Sequence, residues 1–372
     1  MPPLSVMIKP ASSDCNLDCE YCFYKSISEK RKFKSYGEMD LDLLEEIVKK
    51  AFATADGVCN FAFQGGEPTL VGLEFYQQLL KFINKYDANN IQVNKSIQTN
   101  GIRINKEWAK FFAANNFLVG ISLDGPQKIH DLYRVDHANG GTHQQVMEAI
   151  KLLEQAGAEY NILTVVNAEV ANNPTAVYDF FKQQGFNYLQ FIKCLDPVDE
   201  KPGQSSHSLL PEDYAQFLKT LFDLWYQDLK QGQMISIRYF DNLVQMAMGE
   251  QPEACDMSGT CNCQFIIEAD GSVYPCDFYV TDKWKLGNIR DDDFGTLYNS
   301  QRAQKFIRET HFVHEECKSC QWFKLCRGGC RRTQESAGSD KLELDYFCPA
   351  YQDFFQSAAA RILKLAQVFN AK

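Results

Sequence analysis

Short apolar runs alternate with amphipathic stretches along the first two thirds of the chain. The runs are LSVMIK (residues 4–9), CNFAFQG (59–65), NKSIQTNG (94–101), FLVGISLDG (117–125), EYNILTVVN (159–167) and NYLQFIKCLD (187–196). Their length suits strands, while the stretches between them carry the helical period. In DLDLLEEIVKKAFA, Leu44, Ile47, Val48 and Ala51 share one face. In HQQVMEAIKLLEQAG, Val146, Ala149, Ile150 and Leu153 do the same, with Gly157 placed to stop the helix. NPTAVYDFFKQQG puts Pro174 near a first helical turn. Strand–helix alternation predicts parallel strands joined by crossovers. Six such units make either a doubly wound open sheet or a barrel short of eight strands. In both, ligands gather at the carboxyl ends of the strands. The polar and unusual residues sit at those ends: the first cysteine triplet, QGGEP, QTNG, SLDG, VVN and CLDP.

The pattern changes at PVDEKPGQSSHS (197–208), a polar connector. An aromatic-rich helical stretch follows, PEDYAQFLKTLFDLWYQDL, then a cysteine-dense region from Cys255 to Cys348, and the chain ends on the helical pattern YQDFFQSAAARILKLAQVF. These shifts predict a barrel with a connector helix over 1–240 and a cysteine-rich domain over 241–372. At 372 residues, 45% of them hydrophobic, the chain can bury a core of that size. Within QFIIEADGSVYPC, Asp270-Gly271 between alternating runs predicts a hairpin, bringing Cys276 back towards Cys261 and Cys263.

A formal charge of −10 argues against broad nucleic-acid binding, which rests on neutralising phosphates. No signal peptide and no apolar run long enough for a spanning helix are visible. The expectation is a soluble, cytoplasmic protein with no membrane partner. In that compartment fourteen cysteines read as metal or redox ligands rather than disulfides.

SSDCNLDCEYCFYK contains Cys15, Cys19 and Cys22 at C-x3-C-x2-C spacing in a polar segment. Core cysteines, or a zinc site completed from elsewhere, are the plainer explanations. Structural zinc, however, is typically four-coordinate. Three thiolates on a four-iron cube leave one iron open to a chelating ligand. In FAFQGGEP two glycines at a strand end allow the backbone to approach a ligand closely.

The triplet, with Tyr21 preceding its third cysteine and a first strand before it, resembles the radical S-adenosylmethionine (SAM) enzymes. The resemblance implies an α/β fold built on a partial (β/α)6 TIM-like barrel. It also implies a [4Fe–4S] cluster whose open iron takes the methionine amine and carboxylate of SAM. On the same ground Tyr21 and Gly66 lie at the cofactor, Ser122 hydrogen-bonds it, Arg134 pairs with its carboxylate and Leu195 packs near the adenosine. Without the resemblance, Arg134 in DLYRVD would read as a solvated surface charge.

Beyond residue 250 come Cys255, Cys261, Cys263 and Cys276, then Cys317, Cys320, Cys326, Cys330 and Cys348. Two zinc knuckles in a nucleic-acid-binding tail would be the bland explanation. The acidic chain opposes it. The pattern resembles the iron–sulfur SPASM extension of peptide-modifying radical enzymes, which holds two auxiliary [4Fe–4S] clusters. That resemblance assigns Cys255, Cys261, Cys276 and Cys330 to one and Cys317, Cys320, Cys326 and Cys348 to the other, making three clusters in all. Spacing alone does not choose between Cys261 and Cys263.

KPASSDCNLDCEYCFY, AFQGGEPTL, SIQTNG, SLDGP, CLDP, IRYFD, GTCNCQF, DGSVYPCDFY and LGNI together resemble the anaerobic sulfatase-maturating enzymes across nearly the whole chain. The implied reaction is oxidation of a Cys (or Ser) in a sulfatase to Cα-formylglycine, also called 3-oxoalanine. A 5′-deoxyadenosyl radical removes the Cβ hydrogen, Asp277 takes the thiol or hydroxyl proton, and the nearer auxiliary cluster accepts the electron. The implied partners are an unfolded or nascent sulfatase polypeptide and a low-potential electron donor such as ferredoxin or flavodoxin. Tyr24, Gln64 and Gln98, at the strand-end face, are candidate peptide contacts. Alternatively, an enzyme of the same architecture would form thioether or carbon–carbon crosslinks with the same ligands.

Overall fold

The structure is a computed structural model that describes residues 3–197, 200–335 and 341–370. Among these described residues ten strands follow in chain order. They are β1 (Leu4–Ile8), β2 (Val58–Phe63), β3 (Gln92–Thr99), β4 (Phe117–Ser122), β5 (Tyr160–Val166), β6 (Tyr188–Lys193), β7 (Ser236–Ile237), β8 (Ile266–Ile267), β9 (Ser272–Tyr274) and β10 (Gly287–Asn288). All six runs identified in the sequence form strands, trimmed by one to three residues at most ends. The trimmed residues form the loops after the strands, where the candidate chemistry lies.

The chain folds as two compact units. The first comprises Met1–Ser122, Arg134–Tyr160 and Asn262–Phe306; the second comprises Leu123–Tyr133, Asn161–Cys261 and Ile307–Lys372. In the first unit β1 to β4 pair side by side in parallel, with Val6 opposite Phe61, Phe61 opposite Lys95 and Ile97 opposite Val119. On the other side of β1 runs β8, parallel to it, and β8, β9 and β10 then pair antiparallel. The hairpin turns at Gly271 (φ 85°), as Asp270-Gly271 predicts. Because Met7 aligns with Ile266, the hairpin strand extends the sheet beside the strand that leads into the cysteine triplet.

The helix Leu41–Thr54 buries Leu43, Leu44, Ile47, Val48 and Ala51 and is capped by Asp40, which accepts from the Leu43 amide at 2.7 Å. His143–Ala156 buries its predicted face and stops at Gly157 in the left-handed conformation. The aromatic rings of Phe63, Phe75, Tyr76, Trp108 and Phe117 interlock edge to face in the core of this unit.

In the second unit β5, β6 and β7 are parallel. The helix Pro174–Gln183 opens on Pro174 as expected. The two long helices Pro211–Lys230 and Cys348–Asn370 pack through Phe222 and Phe354, whose ring centroids lie 5.7 Å apart, and through Tyr214 and Tyr351 at 6.1 Å. Of the polar connector, Val198 and Asp199 lie outside the described residues. Among the described residues no helix is long and apolar enough to cross a membrane.

Candidate active site

Cys15, Cys19 and Cys22 occupy the loop that leaves β1 and enters the helix Phe23–Glu29. None of the three is tied into a disulfide, and the charges of Cys19 and Cys22 both act on Cys15. Burial, with Glu67 second, pushes the Cys15 thiol up to about 12. A metal centre bound there must displace protons. Three thiols on one polar loop, none tied into a disulfide, form a donor set suited to an iron–sulfur cluster. Among the described residues, no three Cys, His, Asp or Glu side chains are gathered so as to hold a single metal ion.

The QGGEP turn follows β2 and grips this loop directly. Gly66 is left-handed (φ 49°), and a Cβ there would overlap the Asp14 carbonyl oxygen. The Glu67 amide donates to that same oxygen at 2.8 Å. Only glycine permits this approach. The Glu67 carboxylate is buried and accepts from the Thr69 amide, the Thr69 and Thr99 hydroxyls and the Asn100 amide.

Of the expected cofactor residues, Tyr21, Ser122 and Arg134 are buried, and Gly66 and Leu195 are partly exposed. Arg134, which alone in sequence would read as a surface charge, is 7% exposed and lies 5.4 Å from the centre of the Tyr21 ring. Ser122 is buried at the end of β4 and accepts a 3.2 Å hydrogen bond from Gln98. Leu195 belongs to the second unit, half-buried just after β6.

Asp277 is 6% exposed, in a short turn after β9 and next to Cys276. The turn is docked by Phe278 against Phe23, ring centroids 4.8 Å apart, which brings the neighbouring Tyr24 to Asp277. Tyr24 donates to Asp277 Oδ2 at 2.5 Å, while Gln64 Nε2 donates to the Tyr24 hydroxyl at 2.8 Å and to Asp277 Oδ2 at 3.3 Å. Oδ1 carries no hydrogen bond among the described residues; its neighbour is the Lys9 ammonium, 3.8 Å away. Burial raises the Asp277 carboxyl above the usual range, with the Lys9 charge and the Tyr24 hydrogen bond opposing the rise and Glu268 adding to it. Burial and the Asp277 charge hold the Tyr24 phenol well above its ordinary value, so it stays a donor.

Three charged residues at this site were missed in the sequence. Lys9, at the end of β1, is 1% exposed and pairs with Glu268 at 3.1 Å; its ammonium also lies 4.6 Å from the Tyr24 ring centre. Arg31 completes the group at 2.5 Å from Glu268. Burial would raise the Glu268 carboxyl, but the two cations overcome it and hold it low. The available signal was a lysine and a glutamate inside otherwise apolar strand runs, MIKP and FIIEADG, where a charge must find a partner.

In the second unit Cys330 is half-buried, and the charges acting on its thiol come from Cys261, Asp256 and Cys255. Cys261 in turn feels Arg331 and Cys255, and its amide donates to the Thr310 hydroxyl at 2.8 Å. Cys263 is instead 6% exposed in the first unit, raised by burial with only the Phe265 amide opposing. Cys276 follows the hairpin in the first unit, where Gln264 donates to the Pro275 carbonyl and brings the Cys263 and Cys276 segments side by side. Cys317, Cys320, Cys326 and Cys348 line one cavity with Trp322 and Phe355. Cys59 and Cys194 are buried core thiols.

Comparison with known proteins gives these arrangements a lineage. The Radical SAM superfamily matches residues 10–180, and an iron–sulfur cluster-binding domain, SPASM, matches residues 255–321. The chain is 50% identical over 366 residues to the cysteine-type anaerobic sulfatase-maturating enzyme of Clostridium perfringens, covering 98% of this chain and 99% of the relative. It is 34% identical to the serine-type enzyme of Bacteroides thetaiotaomicron, covering 96% and 90%. A solved structure of native anSMEcpe with bound AdoMet and Cp18Cys peptide superposes with a TM-score of 0.96 at 48% identity, covering all of both chains. The fold is accordingly the TIM-like α/β fold of radical SAM enzymes with a C-terminal SPASM domain.

Proposed function

The chain belongs to the family of anaerobic sulfatase-maturating enzymes, and from that membership we propose that it oxidises a cysteine of a sulfatase polypeptide to Cα-formylglycine. Cysteine is favoured over serine because the 50% identical relative is cysteine-type and the serine-type one is only 34% identical. SAM, cleaved at a reduced cluster, supplies the 5′-deoxyadenosyl radical that removes a hydrogen atom from Cβ of the target residue.

The chain's own residues do the rest. Cys15, Cys19 and Cys22 hold the first cluster, and the Gly66 turn, Ser122, Arg134 and Tyr21 form the cofactor site of the first unit. Asp277 accepts the substrate thiol proton. The observation that carries this assignment is its buried carboxylate, with Oδ2 fixed by Tyr24 and Gln64 and Oδ1 left without a hydrogen bond among the described residues. A carboxylate whose proton affinity burial has raised is a stronger base. Loss of the Cβ hydrogen, the thiol proton and one further electron leaves a thioaldehyde, which water converts to the aldehyde.

Two auxiliary [4Fe–4S] clusters complete the cofactor set. One draws on Cys255, Cys261 and Cys330 of the second unit, the other on Cys317, Cys320, Cys326 and Cys348. They provide a sink for the substrate electron. The barrel domain spans 1–240 and the SPASM domain 241–372. A low-potential carrier such as ferredoxin or flavodoxin supplies electrons, and Tyr24, Gln64 and Gln98 contact the incoming peptide. The protein works in the cytoplasm.

Anaerobic incubation of the reduced holoenzyme and SAM with a peptide bearing Cys-x-Pro-x-Arg tests the reading by mass spectrometry. An aldehyde trapped by a hydrazine is the expected product. Loss of two hydrogens with no aldehyde would assign the chain to crosslink formation instead.

A further inference from the structure

Cys15 Sγ accepts two N–H groups, the Leu17 amide at 3.4 Å and the Asn100 side-chain amide at 3.7 Å. Asn100 lies just beyond β3, is 8% exposed, and is held at every polar atom of its side chain. Its backbone amide donates to Glu67 Oε2 at 2.8 Å, its Oδ1 accepts from the Ile102 amide at 3.0 Å, and its Nδ2 also donates to Asn16 Oδ1 at 2.8 Å. Because the Ile102 amide can only donate, it fixes which end of the Asn100 side chain is oxygen, and the NH2 group must face the cysteine loop. Glu67 meanwhile grips that loop through the Asp14 carbonyl, so one buried residue anchors both the loop and the side chain pointing at its sulfur.

We propose that Asn100 is a positioning residue for the first cluster that raises its reduction potential through Cys15. Adding an electron to an iron–sulfur cube increases the negative charge on its thiolate sulfurs. An N–H aimed at one of them stabilises the reduced form more than the oxidised form, and hydrogen bonds to the sulfurs are among the features that set such potentials. The inference rests on the assignment of the first cluster to Cys15, Cys19 and Cys22.

The test is a redox titration of the anaerobic holoenzyme, following the paramagnetic signal of the reduced cluster that changes when SAM is added. In Asn100→Ala the reduced-to-oxidised ratio at a fixed applied potential should fall about tenfold, which is ~59 mV for a one-electron couple. Asn100→Asp keeps the shape and the acceptor for Ile102 but presents oxygen to the sulfur, so its fall should be at least as large. An unchanged midpoint in a variant that retains the SAM-responsive cluster overturns the inference. If Asn100→Ala loses that cluster, the midpoint of Asn100→Asp decides. Loss of the cluster from both variants, with auxiliary iron retained, also overturns it, because Asn100 would then serve assembly alone. A wild-type protein with no SAM-responsive signal would instead refute the cluster assignment.

Discussion

Tyr24 and Asp277 are 253 positions apart and share a 2.5 Å hydrogen bond. The donor is a phenol locked in its protonated form, and the acceptor is the proposed base. Asp277→Asn should retain iron, sulfide and SAM cleavage while formylglycine formation drops on the order of 10²-fold, the usual scale of a lost general base. Tyr24→Phe should be milder, about tenfold, as expected for losing one hydrogen bond to a charged group. It should also shift the pH profile. Asp277 works only when ionised, and the Tyr24 hydrogen bond lowers its pKa. Removing that bond raises the pKa, so the acidic limb of the rate should move to higher pH. An acidic limb that moves down or stays in place would dissociate Tyr24 from the base.

Lys9 is the shared cation of two buried carboxylates, Glu268 at 3.1 Å and Asp277 at 3.8 Å. Lys9→Met strands negative charge in the interior and should cost ~3–5 kcal/mol of stability, the range found when one partner of a buried pair is removed. Glu268→Gln in the same background should return part of that loss. A double-mutant cycle in anaerobic thermal or denaturant unfolding should give a coupling of about 1–3 kcal/mol. Additive losses would mean that the two side chains act independently.

The alternation of strands and helices, the hairpin at Gly271 and the triplet were all legible in the chain because each is local: a period, a turn dipeptide, a spacing. The positions of Gly66 and Asp277 were legible only through resemblance, since a glycine at a strand end and an aspartate in a turn have ordinary uses. Lys9, Arg31 and Glu268 were not legible. Their meaning lies in the alignment of Met7 with Ile266, which sets Lys9 beside Glu268 across more than two hundred positions that no local pattern spans. Asn100 escaped for a related reason. QTNG marks a strand end, but only the fold shows that its asparagine reaches Cys15.

Gly66 offers a test of the close approach between the QGGEP turn and the cysteine loop. In Gly66→Ala the new methyl would overlap the Asp14 carbonyl, which is backbone and has no rotamer to yield, so the loop must shift. Deoxyadenosine release should fall at least about tenfold, the loss expected for misplacing a reacting group, while auxiliary iron remains. Gly37→Ala is the control. It shares a positive φ of 71° but has nothing within 4 Å of the new methyl, so it should cost only about 1–2 kcal/mol of backbone strain and leave SAM cleavage intact. Equal effects from both would mean that conformation, and not the close approach, is what Gly66 supplies.

Cys261 and Cys263 are two residues apart, and spacing gives no reason to prefer either as a cluster ligand. Their surroundings differ. The Cys261 thiol is pushed up by burial to about 11 and sits within reach of Arg331 and Cys255, with Cys330 feeling its charge in return. The buried Cys263 thiol is pushed to a similar value by burial, and only the Phe265 amide acts against it. A thiolate ligand gains from neighbouring cations and fellow ligands, whereas a core thiol needs neither. Cys261→Ala should therefore lower the iron content by about four atoms, one cube of the [4Fe–4S] type, with a matching loss of sulfide. Cys263→Ala should leave the metal count unchanged and cost no more than about 1–2 kcal/mol for the small cavity it opens. Iron and sulfide assays on the two anaerobically purified variants decide between them, and a reversed pattern would move the ligand to Cys263 and the first unit.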